Sequence, residues 1–420
     1  MKPRKHSACI PAFSWILAIS AASAASVPPL ATGDSRTVSQ PVYPAVCTTL
    51  SAQFDTSQRS SPPGTDDTSR LQAALNSCGG TGKSVVLAVS GTHGAFYTNA
   101  LTMNGVALVV NSGVTLYGSN SYSSASQLLS VTGTNAAIMG PGTIDGRGDL
   151  ISGTPRLINA TNVNNFIAYN VTLVHAAKMH LYVEGGNGFT AWGVHIATPA
   201  NTKNTDGIDI DSYTNATVHA SYIECGDDGI AIKTNSAATF NITISNNTFH
   251  GTHGMSIGSQ TTYGVTNVLW NNNTIYGSDE WGNVSTNNNG INIKSDPTCG
   301  GTVKQVTYNS TCMTGVKHLL IFNSHYGTCS GNPGTPYYTD IVVNGVKAVS
   351  SQSGAYSTFN GYDSGHVQGI TLENVSLDVT TMQNNQYASV GLYNSNITPT
   401  GTGVTTFSVT GSGSVPSCSF

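Results

Sequence analysis

From about residue 160 onward, apolar and polar positions alternate in short phrases that return at nearly constant intervals. Tyr169-Asn170-Val171-Thr172-Leu173, Gly193-Val194-His195-Ile196, Ser221-Tyr222-Ile223, Asn247-Thr248-Phe249 and Asn273-Thr274-Ile275 share one shape, and Asn374-Val375-Ser376-Leu377 repeats it later. Their apolar members Leu173, Ile196, Ile223, Phe249 and Ile275 stand 23, 27, 26 and 26 residues apart. A period in the twenties without helical spacing is the mark of a solenoid of strands. A second register runs beside it: Ile208-Asp209-Ile210, Ile230-Ala231-Ile232, Met255-Ser256-Ile257 and Ile291-Asn292-Ile293, at steps of 22, 25 and 36. Side chains alternate across a strand, so the outer members of each triplet face inward and the middle one faces out. Coils stacked in parallel lie about 4.8 Å apart. The predicted fold is therefore all-β, a right-handed single-stranded parallel β-helix, with insertions such as 276–288 leaving it as loops.

Helix is scarce. Asp66 to Leu75 is the persuasive case, with Asp and Thr available to cap its start. A short N-terminal helix there would cover the first coil, whose open edge invites strand addition. No linker divides the mature chain, so residues 27–420 are expected to form a single β-helical domain.

Composition sharpens this picture. Only 9 % of the 420 residues are charged, the opposite of a disordered chain. Lys2, Arg4 and Lys5 precede an apolar run around Phe13–Ala22 and the small residues Ala22-Ser23-Ala24, the three-part pattern of a secretory signal peptide over residues 1–26. The apolar run is too short for a membrane anchor, and no later segment approaches a span. A secreted, extracellular protein without membrane attachment is expected. Removing the leader deletes three basic and no acidic groups, taking the formal net charge from −4 to about −7. Nucleic acid is excluded as a partner by that balance, and a polyanionic substrate would need a local basic cleft.

Of the eight cysteines, Cys9 lies in the leader. The other seven predict up to three disulfides and one free thiol in an oxidising compartment. Cys47 and Cys78 bracket a small N-terminal unit and form the expected pair; Cys299, Cys312, Cys329 and Cys418 are candidates for the others. Cys225, in an apolar strand, is expected to be a buried thiol. Ten Asn-x-Ser/Thr sequons, among them Asn159, Asn215 and Asn396, are glycan acceptors in a eukaryotic secretory pathway and otherwise turn and strand residues.

The chemistry sits in the second register. Asp206 in Asn204-Thr205-Asp206-Gly207 precedes one strand, Asp227 and Asp228 in Gly226-Asp227-Asp228-Gly229 the next, and His253 in Thr252-His253-Gly254 the third. Lys294 closes the fourth. The steps from 206 to 228 to 253 are 22 and 25 residues, about one coil each. Taken singly, each motif is a turn or a solvated charge. Together they place five polar groups on one outer face over roughly 15 Å. Glycoside hydrolysis needs one protonated carboxyl to donate to the leaving oxygen and one ionised carboxylate to activate water or attack the sugar. Clustered carboxylates supply both, because neighbouring negative charge raises the pKa of one member and the group titrates as a unit. His253 would tune the acid, and Lys294 would bind a substrate carboxylate. Tyr326 and Trp281 are either outward-facing aromatics able to stack on sugars or residues of core or loop packing.

Asn204-Thr205-Asp206-Gly207-Ile208-Asp209, Gly226-Asp227-Asp228, Gly251 to Ser259 and Ile293-Lys294-Ser295-Asp296 resemble the polygalacturonase family of glycoside hydrolases (family 28). Gly186 to Trp192, His180, and Tyr308 in Val306-Thr307-Tyr308 also match its pattern, and the resemblance spans about residues 45–380. It implies hydrolysis of α-1,4-galacturonosyl bonds of pectin with inversion, by a monomer using no metal or other cofactor. Asp227 would be the general acid, with Asp206 and Asp228 activating water and His253 supporting the acid's protonation. Asn204, His180, Asn292, Lys294 and Tyr308 would contact substrate. One position departs: the family usually has Arg-Ile-Lys where this chain has Asn292-Ile293-Lys294. Arg grips a carboxylate through two parallel hydrogen bonds, which Asn cannot replace. The alternative this raises is hydrolysis of a decorated, esterified or otherwise altered pectic chain, with the catalytic carboxylates intact. Two other classes fit a β-helix with this cleft: a pectate lyase, which would need calcium and a basic residue, and a non-catalytic pectin-binding protein.

Overall fold

The computed structural model describes Met1, residues 24–327 and residues 333–420. The expected leader, with Cys9, falls almost wholly outside the described residues, and so does Cys329.

The chain coils into a parallel β-helix. One wall is a ten-stranded sheet of β1 (Leu101–Asn104), β2 (Gln127–Thr132), β3 (Arg156–Thr161), β4 (Leu181–Glu184), β5 (Ile208–Asp211), β6 (Ile230–Lys233), β7 (Met255–Ile257), β8 (Asn289–Lys294), β9 (His318–Asn323) and β10 (Tyr356–Asn360). Successive members pair in parallel, one coil apart. The expected second register is the one observed: Ile208 pairs with Ile230, Ile230 with Met255, and Met255 with Ile291. The first register lies on another wall, where Leu173, Ile196, Ile223, Phe249 and Ile275 follow each other in the same way. Farther along, strand Val265–Tyr276 continues past a corner and pairs with both Thr239–Ser245 and Thr248–His250. A right-handed coil is the one that right-twisted strands favour for parallel crossovers.

Inward-facing members of both registers fill one core cluster that runs from Ala52 to Ile397. Coil corners explain the abundance of asparagine. Asn215, Asn241 and Asn267 hold left-handed backbones with φ of 54°, 61° and 58°, which Asn tolerates better than other non-glycine residues. Their amides stack coil on coil, Asn267 donating to Asn241 at 2.8 Å and Asn241 to Asn215 at 3.1 Å.

Helix α1 (Thr68–Cys78) buries Leu71, Ala74, Leu75 and Cys78 and packs against β1, closing the first coil as expected. Asp67 is its N-cap residue, but its carboxylate accepts from the Tyr97 amide at 2.9 Å, while Asp66 accepts from Thr68 N at 3.0 Å. Cys47–Cys78 and Cys312–Cys418 are disulfides, Cys299 is also disulfide-bonded, and Cys225 is a buried thiol. No helix among the described residues is long and apolar enough to cross a membrane.

Candidate active site

Each acidic motif sits in the turn that enters a strand of the ten-stranded wall, so stacking the strands stacks the motifs. Gly207 N donates to Asp228 O at 3.0 Å, and His253 N donates to Asp227 O at 2.7 Å. Thr205 locks two turns together: its hydroxyl donates to Thr202 O at 2.6 Å and accepts from Gly226 N at 2.9 Å. A Cβ at Gly226 would lie 2.0 Å from Thr202 O, so the Gly-Asp-Asp turn approaches its neighbour closely enough to admit only glycine.

The three carboxylates meet different surroundings. Asp227 is the most open, its side chain 23 % exposed against 6 % for Asp206 and 4 % for Asp228. Its Oδ1 lies 2.9 Å from His253 Nδ1 and accepts from Asp228 N at 2.8 Å. Burial pushes the Asp227 pKa up, but the His253 hydrogen bond and charge, with the Lys294 ammonium, outweigh it and bring it to about 2. An ionised Asp227 requires a hydrogen on His253 Nδ1. The imidazole's Nε2 is buried and has no hydrogen-bond partner among the described residues.

Asp228 is fully engaged. Lys294 Nζ lies 3.0 and 2.9 Å from its two oxygens, and Ser256 donates to Oδ1 at 2.7 Å. Asn292 in turn donates to Ser256 Oγ at 3.1 Å. The Lys294 pKa is lowered by burial but raised further by Asp228, so the ammonium stays charged. It also sits 5.1 Å from the centre of the Tyr326 ring.

Asp206 is held above the usual carboxylate range, by burial first and by Asp227 and Asp228 as well; Lys233 opposes this. Lys233 Nζ lies 3.3 Å from Asp206 and 2.5 Å from the fully buried Asp209, where burial and Asp206 raise the pKa well above normal. Lys233 and Ser256 are functional neighbours that the sequence reading missed. A signal for Lys233 was present, since Ile232-Lys233 ends β6 as Ile293-Lys294 ends β8. Ser256 occupies the outward middle position of β7, in register with Asp209, Ala231 and Asn292.

Two expected substrate contacts are corrected. Tyr308 has no solvent exposure and stacks on Trp270 at 5.6 Å within the core, because Val306-Thr307-Tyr308 belongs to another wall and its inward position. The aromatic beside Lys294 is Tyr326, which is 41 % exposed. His180 is also fully buried: Nδ1 lies 3.0 Å from Asp206 O and Nε2 2.7 Å from Thr198 Oγ1. Burial lowers its pKa to about 4, so a neutral imidazole braces the Asp206 backbone from inside. Asn204 sits exposed at the rim in a left-handed turn, φ 59°.

Asp227, Asp228 and His253 offer ligand atoms within 4.8 Å of one another, the one such group among the described residues. Side-chain nitrogens already occupy the cationic positions there: Lys294 holds Asp228, and His253 Nδ1 faces Asp227. Beyond His253, toward the C-terminus, a polar cavity of about 150 Å³ opens between β8 and β10, lined by Asn292, Lys294, His318 and Tyr326 among others.

Fold and site together define a β-helical protein with an acidic cleft on its ten-stranded wall. Residues 82–394 match the profile of Glycosyl hydrolases family 28, and the chain belongs to that family. It is 35 % identical to an endo-polygalacturonase of Pectobacterium carotovorum subsp. carotovorum over 82 % of this chain and 90 % of that one. A polygalacturonase of Ralstonia solanacearum is 31 % identical, covering 86 % and 84 %. The solved polygalacturonase of Erwinia carotovora ssp. carotovora superposes with a TM-score of 0.71 at 32 % identity, over 87 % of this chain and 100 % of that chain.

Proposed function

We propose that the protein is an extracellular hydrolase of the α-1,4-galacturonosyl backbone of pectin, acting as a monomer whose residues 27–420 form one catalytic unit exported by the leader. The observation that carries this reading is the graded set of carboxylates on adjacent coils. Asp227 faces the open cleft against His253, Asp206 is buried beside Lys233, and Asp228 is tied to Lys294.

Asp227 is the general acid. In the free protein Asp227 is ionised, and it takes up a proton as the sugar chain displaces water from the cleft, because desolvation favours its neutral form. Asp227 then gives it to the glycosidic oxygen while the bond from that oxygen to C1 breaks. Asp206 and Asp228 orient a water on the opposite face, whose oxygen bonds to C1 with inversion and whose proton passes to a carboxylate. The raised pKa of Asp206 makes its ionised form the stronger proton acceptor of the set. Lys294 holds Asp228 in place through both carboxylate oxygens.

The test follows new reducing ends from pectic galacturonan, with ultraviolet absorbance of unsaturated product in parallel. Reducing ends without absorbance are expected; both signals rising together would mean elimination and overturn the hydrolytic reading. Asp227→Asn should lower kcat by about 10²–10⁴ when assayed at a temperature where the variant is folded. Full turnover in that variant would remove Asp227 from the acid role.

A further inference from the structure

The cavity beyond His253 differs in chemistry from the carboxylate cluster it adjoins. Side-chain amides dominate its lining: Asn289, Asn292, Asn323 and Asn360 come from three neighbouring strands, β8, β9 and β10. One lysine lines it, Lys294, and its ammonium contacts both oxygens of Asp228. No arginine among the described residues lines it. His318 is held uncharged, burial lowering its pKa to about 4, and faces Asn289 Oδ1 at 2.7 Å. Ile321, next to Asn292 across the β8–β9 pairing, and Tyr356 add apolar surface on the same wall.

Asn292 is 2 % exposed, gives one amide hydrogen to Ser256, and makes no other side-chain hydrogen bond among the described residues. A primary amide both donates and accepts, so it matches hydroxyls and ester carbonyls. A carboxylate only accepts, and bringing one out of water beside Asp227 and Asp228 without a free cation is costly.

We infer that this cavity takes an uncharged sugar unit, namely a galacturonosyl residue whose carboxyl is esterified, and that Asn292 is the specificity-determining residue. The ester carbonyl meets the amides and the ester methyl lies against Ile321 and Tyr356. This rests on the proposal that the cleft hydrolyses galacturonan. It makes a specific statement about which links are cut: those with an esterified residue on the β8–β10 side of the acid.

Initial rates on methyl-esterified and demethylated galacturonan of equal length, read as reducing ends, test it. Wild type should have a kcat/KM on the esterified polymer at least equal to that on the demethylated one. Asn292→Arg supplies a guanidinium and should shift the ratio about tenfold toward the demethylated chain, the gap between a neutral and a charge-assisted hydrogen bond. Ile321→Lys, which puts an ammonium one coil further on at a half-buried position, should shift it the same way if the first variant does not fold. A galacturonan bearing neutral side sugars forms a third arm; preference for it over the methyl ester would overturn the ester assignment. A tenfold wild-type preference for demethylated polymer, unmoved by either variant, would overturn the inference while leaving hydrolysis intact. If no polymer is cut, the hydrolytic reading fails, and affinity electrophoresis on the same polymers reads the same ratio from binding.

Discussion

At the scale of single residues, environment decides what identical side chains do. Asp206, Asp227 and Asp228 are chemically alike, yet one is raised by burial, one is lowered to about 2 against His253, and one is tied to an ammonium. The depression of Asp227 from 3.8 to about 2 means folding favours its ionised form. That stabilisation is complete above about pH 4 and disappears as pH falls through about 2. His253→Ala removes the contact chiefly responsible, so the variant should lose about 2 kcal/mol more at pH 5 than at pH 2. Urea unfolding at the two values checks it; a gap that stays constant with pH would show that His253 acts through packing alone. Tyrosine gives the same lesson. Tyr308 was chosen by its motif and lies in the core, whereas Tyr326, read only as an outward-facing aromatic, stands over Lys294.

At the scale of elements, the site is a property of register. The Ile-x-Ile triplets point two side chains inward and one outward, so pairing Ile208 with Ile230 and Met255 fixes where the preceding turns meet. A one-residue slip would turn each strand's apolar set outward. Turns between such strands come close, and glycine is the residue that permits it. Gly226→Ala should cost about 1–3 kcal/mol, as overpacking does, and lower kcat, because Asp227 and Asp228 follow it in the chain. Gly64→Ala is the control, since a Cβ there meets nothing within 4 Å, and it should change stability by under about 0.5 kcal/mol. Comparing melting and turnover of the two separates the close approach from any general intolerance of glycine replacement.

At the scale of the whole molecule, a solenoid needs its ends covered. Helix α1 lies against the first coil, and Cys47–Cys78 ties it to the strand before it. Cys47 is exposed, so Cys47→Ser removes the tether with little loss of packing. With a sequence separation of 31 between the two cysteines, the loop-entropy model gives a cost of about 3–4 kcal/mol. The expected outcome is a lower melting temperature with unchanged kcat; a fall in kcat at a temperature where the variant is folded would tie the cap to the cleft.

The sequence by itself determined the β-helix, the two registers, the capping helix, the Cys47–Cys78 pair and the stacking of the acidic turns. The β-helix, the registers and the stacked turns follow from periodicity, which survives in one dimension because each coil repeats the same side-chain demand; the helix and the cysteine pair are local signals. Only the tertiary structure decided which face each polar residue takes when its motif has no strand triplet to orient it. It turned Tyr308 and His180 inward, joined Lys233 to Asp206 and Asp209, and committed Lys294 to Asp228. It also gathered the asparagines of β8 to β10 around one cavity. Contacts between side chains on different coils depend on insertion lengths and corner geometry, and these set no repeating pattern along the chain.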